Sequence, residues 1–319
     1  MDRPLEELHT PVMLEECLDA MRPALAAPDA LYVDATTGMG GHLSAVLREF
    51  PHVRAVAIDR DPQALEIART RVGADAARCR FVHATYDEIP RVLDEVGYVG
   101  ADAILMDLGV SSLQLDMRSR GFSYARDAHL DMRMDSSGGR TAADILATAS
   151  QAELTRILRT YGEERFAPKI AAGIVAARDE APVETSAQLV QIIRSSLPQA
   201  AMRHGGNPAK RTFQALRIAV NDELDILEAA LPRTIAALNP QGRLVVESYH
   251  SLEDRLVKRA MRDATTTQLP PGVPVREVDR DVGYRLVFSG AKKASAQEIS
   301  TNSRSASVRL RALTRTTSS

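Results

Sequence analysis

The sequence has no tryptophan, only two cysteines and aromatic residues at just 4% of its 319 positions. Cys17 and Cys79 form no CxxC pair, and the seven histidines supply no zinc-type spacing around them. A disulfide or metal scaffold is therefore not expected, and no metal ligand set is assigned. Two buried thiols in a reducing cytoplasm fit better. Charge of one sign is also lacking. The formal net charge is −2, so no global positive field announces a nucleic acid, and any such contact must come from local clusters. No apolar run approaches the roughly 20 residues of a membrane span, so no membrane partner is expected. The first ten residues carry Asp2, Glu6 and Glu7 in place of an apolar stretch, which does not read as a secretory leader.

What is present is an ordinary globular composition, 45% hydrophobic and 26% charged, long enough for an α/β domain of roughly 200 residues carrying an insertion of roughly 100. An amphipathic helix is expected over Met13–Met21. Short Val/Ile/Leu-rich segments follow at Leu31–Asp34, Ala55–Asp59, Arg80–His83 and Ala103–Asp107, the pattern of parallel strands buried on both faces. A helix begins at Pro62, behind Asp61. Leu108–Gly139 reads as a long functional loop. The text then becomes purely helical, with stripes at Leu154, Ile157, Leu158 and Tyr161 and at Phe166, Ile170 and Ile174. These features predict a core of residues 1–113 and 207–319 interrupted by a helical domain of residues 114–206, with its exit at the Gly205-Gly206-Asn207-Pro208 cluster. Beyond it we expect one long helix over Pro208–Ala230 and a strand at Arg243–Ser248 after the Asn239-Pro240-Gln241-Gly242 turn. A helix capped around Ser251-Leu252-Glu253-Asp254 comes next. A loop at Pro270–Asp281, strands at Tyr284–Phe288 and Ser307–Leu310, and a tail frayed beyond Ala312 complete the reading.

The strongest local motif is Asp34-Ala35-Thr36-Thr37-Gly38-Met39-Gly40-Gly41-His42, between a strand and a helix. Its glycines permit close backbone approach to a ligand. A dinucleotide fingerprint would need glycine at position 43, but Leu43 stands there, which disfavours a dehydrogenase. Asp59 ends the next strand, roughly 20 residues on, where a carboxylate can accept both hydroxyls of a ribose; Asp61 suits the alternative role of a helix cap. Tyr86 follows the third strand and suits an adenine edge. Asp107 ends the fourth. Four successive strand ends so furnished point to a nucleoside site of the S-adenosylmethionine (SAM) type.

Longer blocks give the chain a resemblance. They are His9-Thr10-Pro11-Val12, Asp34–His42, Ile58–Pro62, Asp107–Ser112 with Gln114, Gly121-Phe122-Ser123, Asp131–Asp135, Tyr161–Arg165, Arg211–Ala215 and His250–Arg255. In these blocks the chain resembles the bacterial 16S ribosomal RNA cytosine-N4 methyltransferases, from about His9 to Arg311. The resemblance implies a SAM-dependent methyltransferase (Rossmann-like) sheet with an inserted helical domain. It implies SAM contacts from Gly40, Gly41, His42, Asp59, Tyr86, Asp107 and Gln114, and a cytosine of 16S rRNA, in the decoding region of the small ribosomal subunit, as substrate. Tyr249 stands where phenylalanine is common in that family, and Tyr86 where another aromatic is usual.

Methyl transfer from a sulfonium needs donor and acceptor held in line. An exocyclic cytosine amine is a poor nucleophile, and an oxygen accepting its N–H would help. Asp107, or a neighbouring serine such as Ser111 or Ser112, is the candidate, and His250 is a second candidate at the following strand end. Carbon-5 chemistry would need a cysteine nucleophile, and neither cysteine is expected near the crevice. The stretch Gln199–Val220 carries Arg203, His204, Lys210, Arg211 and Arg217 without an acid. Lys210, Arg211, Gln214, Arg217 and Asn221 are candidate RNA contacts, the alternative being a solvated helix face. Lys292, Lys293, Arg304, Arg309 and Arg311 add positive charge near the end. A non-catalytic SAM- or RNA-binding module, or a methyltransferase of another RNA, are the rival readings. Oligomeric state is not legible, and a homodimer is compatible with all of this.

Overall fold

The structure, a computed structural model, describes residues 11–199, 207–267 and 282–317. His9, Thr10, Arg203, His204, Gly205, Gly206 and the Pro270–Asp281 loop lie outside the described residues, as does the side chain of Ser112. The chain divides into two compact units, one of Met1–Gly109 with Leu224–Ser319 and one of Val110–Glu223.

The first unit is built on a sheet of seven strands, β1 Leu31–Asp34, β2 Arg54–Asp59, β3 Cys79–His83, β4 Ala101–Asp107, β5 Leu238–Ser248, β6 Tyr284–Leu286 and β7 Arg309–Arg315. Their order is β3-β2-β1-β4-β5-β7-β6. The first five run parallel, while β7 is antiparallel to both neighbours. The order reverses between β1 and β4, so the carboxyl ends of these strands open on a topological switch point, the usual ligand site of such sheets.

Side chains alternate across the sheet. Tyr32, Ala103, Leu105 and Val245 join one core with helices α1 (Leu14–Leu25) and α2 (Gly41–Glu49), through Cys17, Leu18, Met21, Leu43, Val46 and Leu47. Leu31, Val33, Ile104, Met106, Leu244 and Val246 join the opposite core with Leu93, Leu227, Leu231, Val257 and Met261. By the same alternation Asp107 and Glu247, paired in register, lie on the face that α1 and α2 cover.

The second unit has a core of its own, built from Leu130, Met132, Ile145, Leu146, Leu154, Ile157, Leu158, Ile170, Ile174, Leu189, Ile193, Phe213 and Leu216. Asp131 and Arg133 form an ion pair at 2.8 Å, so this acidic segment is an internally bridged loop.

Four expectations need correction. The helix expected over Pro208–Ala230 is two, Ala209–Asn221 and Glu223–Ala236, parted at Asp222, whose φ of 50° ends the first. Asp and Asn adopt this left-handed conformation more readily than most residues, and the periodic apolar stripe masked the break. The Asn239–Gly242 turn lies inside β5, where the register against β4 shifts between Ala101 and Ala103. A side chain at Gly242 would collide with backbone oxygens of Asn239 and Ala101. Leu313, Thr314 and Arg315, expected to belong to a frayed tail, are instead paired, because β7 continues to Arg315 between two strands. Finally, Leu108–Gly139 is not all loop. Ser111 caps a short helix, Ser112–Asp116, in a reciprocal capping box with Gln114.

Candidate active site

The Gly-rich turn lies between β1 and α2. Gly40 has φ 74°, which favours glycine, and a side chain there would meet Ala68 at 3.0 Å. One at Gly41 would meet Pro11 at 2.6 Å. The expectation was that both glycines make room for a ligand. On the Cβ side of these glycines stand α3 (Pro62–Val72) and Pro11, so the absence of side chains lets protein segments pack closely around the turn, and the SAM contacts expected of Gly40 and Gly41 fall to their backbone.

Asp59 ends β2 facing this turn. Its Oδ2 accepts the N–H of Gly38 at 2.7 Å, and its Oδ1 accepts that of Asp61 at 2.8 Å. Burial raises its carboxyl to about 6 despite these two donors. Each oxygen keeps a further acceptor site. Asp61 is the cap of α3, accepting from the Gln63 N–H, which leaves Asp59 free of that task. Tyr86 opens a short turn after β3, and its half-buried ring packs against the core on the far face of the sheet.

Asp107, at the end of β4, is fixed from two sides. Its N–H donates to Thr36 Oγ1 at 2.6 Å, and the Tyr249 hydroxyl donates to its Oδ1 at 2.7 Å. Its side chain keeps 29% exposure, yet desolvation, then the neighbouring Glu247 charge, raises its carboxyl to about 7. Asp34, at the end of β1, is raised to about 7 by burial, although Tyr32 and Thr36 donate to it.

His42 is the second residue of α2 and is buried. Its Nε2 lies 3.3 Å from Glu247 Oε2 and 3.9 Å from Asp107 Oδ2. Glu247 is fully buried and held well above the ordinary carboxylate range, chiefly by that burial. Cys17, on α1, completes the group, and one donor atom from each of Cys17, His42 and Glu247 lies within 4.8 Å of the others. Cys17 was expected away from the crevice. In the structure it lies under the same turn, because α1 covers the sheet face that carries Asp107 and Glu247. Glu247 was not expected at all. An acid directly after the apolar run Leu244-Val245-Val246 is the signal that could have exposed it.

His250 has a structural task. It is the N-cap of the helix Ser251–Ala264, in a reciprocal box with Glu253, one residue earlier than expected. Its Nε2 lies 3.1 Å from Glu253 Oε1. Gln114, also buried, belongs to the second unit, where its Oε1 accepts the Ser111 N–H.

The expected RNA face of Ala209–Asn221 is only partly a face. Lys210 and Arg211 are exposed, Arg211 donating to the Glu163 carbonyl. Gln214 donates to the Tyr161 carbonyl, and Arg217 grips Glu223 through two hydrogen bonds at 2.8 and 2.9 Å. Asn221 is buried and bridges the backbone of Met132 and Met134. In the first unit, Arg311 pairs with Asp254 at 2.7 Å, and Lys292 lies over the Phe288 ring.

Known proteins are similar to this chain over nearly its whole length. A relative named ribosomal RNA small subunit methyltransferase H, from Beutenbergia cavernae, is 54% identical over 308 residues, covering 97% of this chain and 92% of that protein. Relatives of the same name are 53% identical in Thermobifida fusca, over 97% of this chain and 93% of theirs, and 55% identical in Frankia casuarinae, over 96% and 95%. The profile of one family, described as the MraW methylase family, matches residues 6–316. With a match of that extent and relatives of that identity, this chain belongs to the MraW methylase family.

Proposed function

We propose that the protein is a SAM-dependent methyltransferase of small-subunit ribosomal RNA that modifies the exocyclic N4 amine of a cytosine in the decoding region of 16S rRNA. The observation that carries the reading is Asp107. It ends a central strand at the switch point, is held by Thr36 and Tyr249, and retains an exposed portion. The relatives' names supply the RNA class.

When bound, SAM supplies an electrophilic methyl group on a sulfonium. Asp59 fits its ribose, since both carboxylate oxygens are already oriented by backbone donors and keep an acceptor site each. Tyr86 suits the adenine edge, and His42, Asp107 and Gln114 are the further SAM contacts the family resemblance suggests. Asp107 would also accept a hydrogen bond from the target amine, fixing its direction of attack; that positioning is worth up to about 7–11 kcal/mol in well-aligned systems. A base within stacked RNA must first be extruded, at a cost of a few kcal/mol.

Carbon-5 methylation is disfavoured on physical grounds. Burial holds the Cys17 thiol well above its ordinary value and raises that of Cys79 to about 11, and a protonated, buried thiol is a poor nucleophile. The Val110–Glu223 unit is the part we assign to holding RNA, with Lys210 and Arg211 as its exposed cations on Ala209–Asn221. Among the described residues no helix is long and apolar enough to cross a membrane.

The test is to incubate the enzyme with small ribosomal subunits and isotope-labelled SAM, then digest the RNA and identify the labelled nucleoside by mass and retention. N4-methylcytidine at a single decoding-region position is expected. Label on carbon 5, on another RNA, or none at all would overturn the reading.

A further inference from the structure

We propose that Cys17, His42 and Glu247 form a binding site for a divalent cation of the zinc type, beneath the Gly-rich turn. The three side chains come from three elements of one unit, α1, α2 and β5, and meet on the single sheet face that α1 and α2 cover. Their donors are one thiol sulfur, one imidazole nitrogen and one carboxylate oxygen, mutually within 4.8 Å. Zinc bonds are about 2.3 Å to sulfur and about 2.0–2.2 Å to nitrogen and oxygen, so tetrahedral ligands stand about 3.3–3.8 Å apart. The His42–Glu247 edge, 3.3 Å, already has that spacing, and the edges to sulfur, no longer than 4.8 Å, need a contraction of about 1.5 Å at most.

Two further observations separate this group from an ordinary buried cluster. All three residues are buried, Glu247 and Cys17 completely. Among the described residues, the His42 nitrogens and the Glu247 carboxylate make no well-formed hydrogen bond outside this group, and their polar neighbours within it are each other and the Cys17 thiol. Buried polar atoms are nearly always paired or coordinated, and one imidazole nitrogen, one carboxylate oxygen and one sulfur brought together out of reach of solvent are what a cation would satisfy. Charge agrees. A dication is balanced by one thiolate and one carboxylate with a neutral imidazole, the thiol proton and the proton that burial favours on Glu247 both passing to solvent on binding. Asp107, 3.9 Å from the same imidazole nitrogen, adds negative potential. A cation here would tie α1 and α2 to the centre of the sheet and set the orientation of the His42 ring.

Cobalt(II) is a spectroscopic probe for such a site, and zinc its competitor. The full-length protein, stripped with chelator and titrated with cobalt(II), should bind one equivalent per chain and show a near-ultraviolet sulfur-to-cobalt absorption band. Equimolar zinc should abolish the band, and bound metal should raise the unfolding temperature. Cys17→Ser should lose the band, and Glu247→Gln should bind at least tenfold more weakly. X-ray absorption of the zinc-loaded wild-type protein should show one sulfur at about 2.3 Å among nitrogen and oxygen ligands, a measurement independent of whether the variants fold. Absence of stoichiometric binding at micromolar metal, an unchanged band in Cys17→Ser, or a ligand shell without sulfur would each overturn the proposal.

Discussion

Asp59 joins two opposed demands. Burial favours its neutral form, while the Gly38 and Asp61 N–H groups and, under our reading, two ribose hydroxyls favour the carboxylate. Its folded-state value of about 6 stands above the roughly 3.9 of an unfolded chain. The folded state therefore holds this proton more tightly, so the group favours folding at low pH, and that contribution is lost as pH rises through about 6. Ligand binding has the opposite sign, because hydroxyl donors need the ionised form. SAM affinity should fall as pH drops below about 6, and calorimetry between pH 5 and 8 should show proton release on binding. Asp59→Ala should weaken SAM by about 1.5–3 kcal/mol, the worth of hydrogen bonds to a charged group, and flatten the pH dependence; unchanged affinity would remove Asp59 from the ribose. Asp107→Ala should behave differently, lowering the single-turnover rate at saturating SAM by more than it raises the SAM Kd. Full recovery of rate at high SAM would confine Asp107 to cofactor binding. Asp59, Asp61 and Asp107 were legible in the sequence because strand ends and helix starts have local signatures. Glu247 and the placement of Cys17 were not, since what matters about them is which sheet face α1 covers, a long-range fact with no local pattern.

At the scale of elements, the helix Ala209–Asn221 shows how a polar stripe misleads. Lys210, Gln214, Arg217 and Asn221 have helical spacing opposite the apolar residues, and spacing alone suggests a common face for RNA. The structure gives three of the four internal partners, and Asn221 is wholly inside. Lys210→Ala and Arg211→Ala should each reduce the log–log salt slope of RNA binding by about one unit at most, as expected when one phosphate contact is lost. Arg217→Ala should instead destabilise the helical unit by about 1.5–3 kcal/mol, by loss of hydrogen bonds to the Glu223 carboxylate. Denaturant unfolding of that variant, beside filter binding of the first two, separates the roles. An Arg217 variant with wild-type stability and a weakened salt slope would restore it to the RNA face. Strands β1–β4 were readable to within about two residues because strands of a parallel sheet, above all the fully buried ones such as β1, are short apolar runs. β7 was readable only at its start, since its later residues, Thr314 and Arg315, look like a tail until two neighbouring strands are seen to pair with them.

The whole molecule differs most from the sequence reading in where the inserted part ends. Composition placed the exit at the Gly205-Gly206-Asn207-Pro208 cluster, a strong turn signal. The compact unit runs on to Glu223, because the next helix gives Ala209, Phe213, Ala215 and Leu216 to the helical core. Its approach to the helix Gln151–Gly162 is close, since a side chain at Gly162 would meet the Arg211 carbonyl oxygen at 2.7 Å. Two excisions therefore have different expected outcomes. Removing residues 114–206 and joining the ends would strand Ala209–Asn221 without its core and leave Phe213 and Leu216 exposed, a patch that invites association. Removing the whole of Val110–Glu223 behind a short glycine-serine linker takes that apolar face away with its partners. The second product should be monodisperse by light scattering, bind SAM with an affinity lowered by about the 0.5–1.5 kcal/mol of the one contact expected of Gln114, and methylate no RNA. The first should aggregate or unfold at lower temperature. A soluble, monodisperse product from removal of 114–206 that binds SAM as well as the larger excision does would mean that this helix is stable without the helical core. RNA methylation at normal efficiency by the larger excision would take substrate recognition out of the helical unit and assign it to the sheet-bearing one.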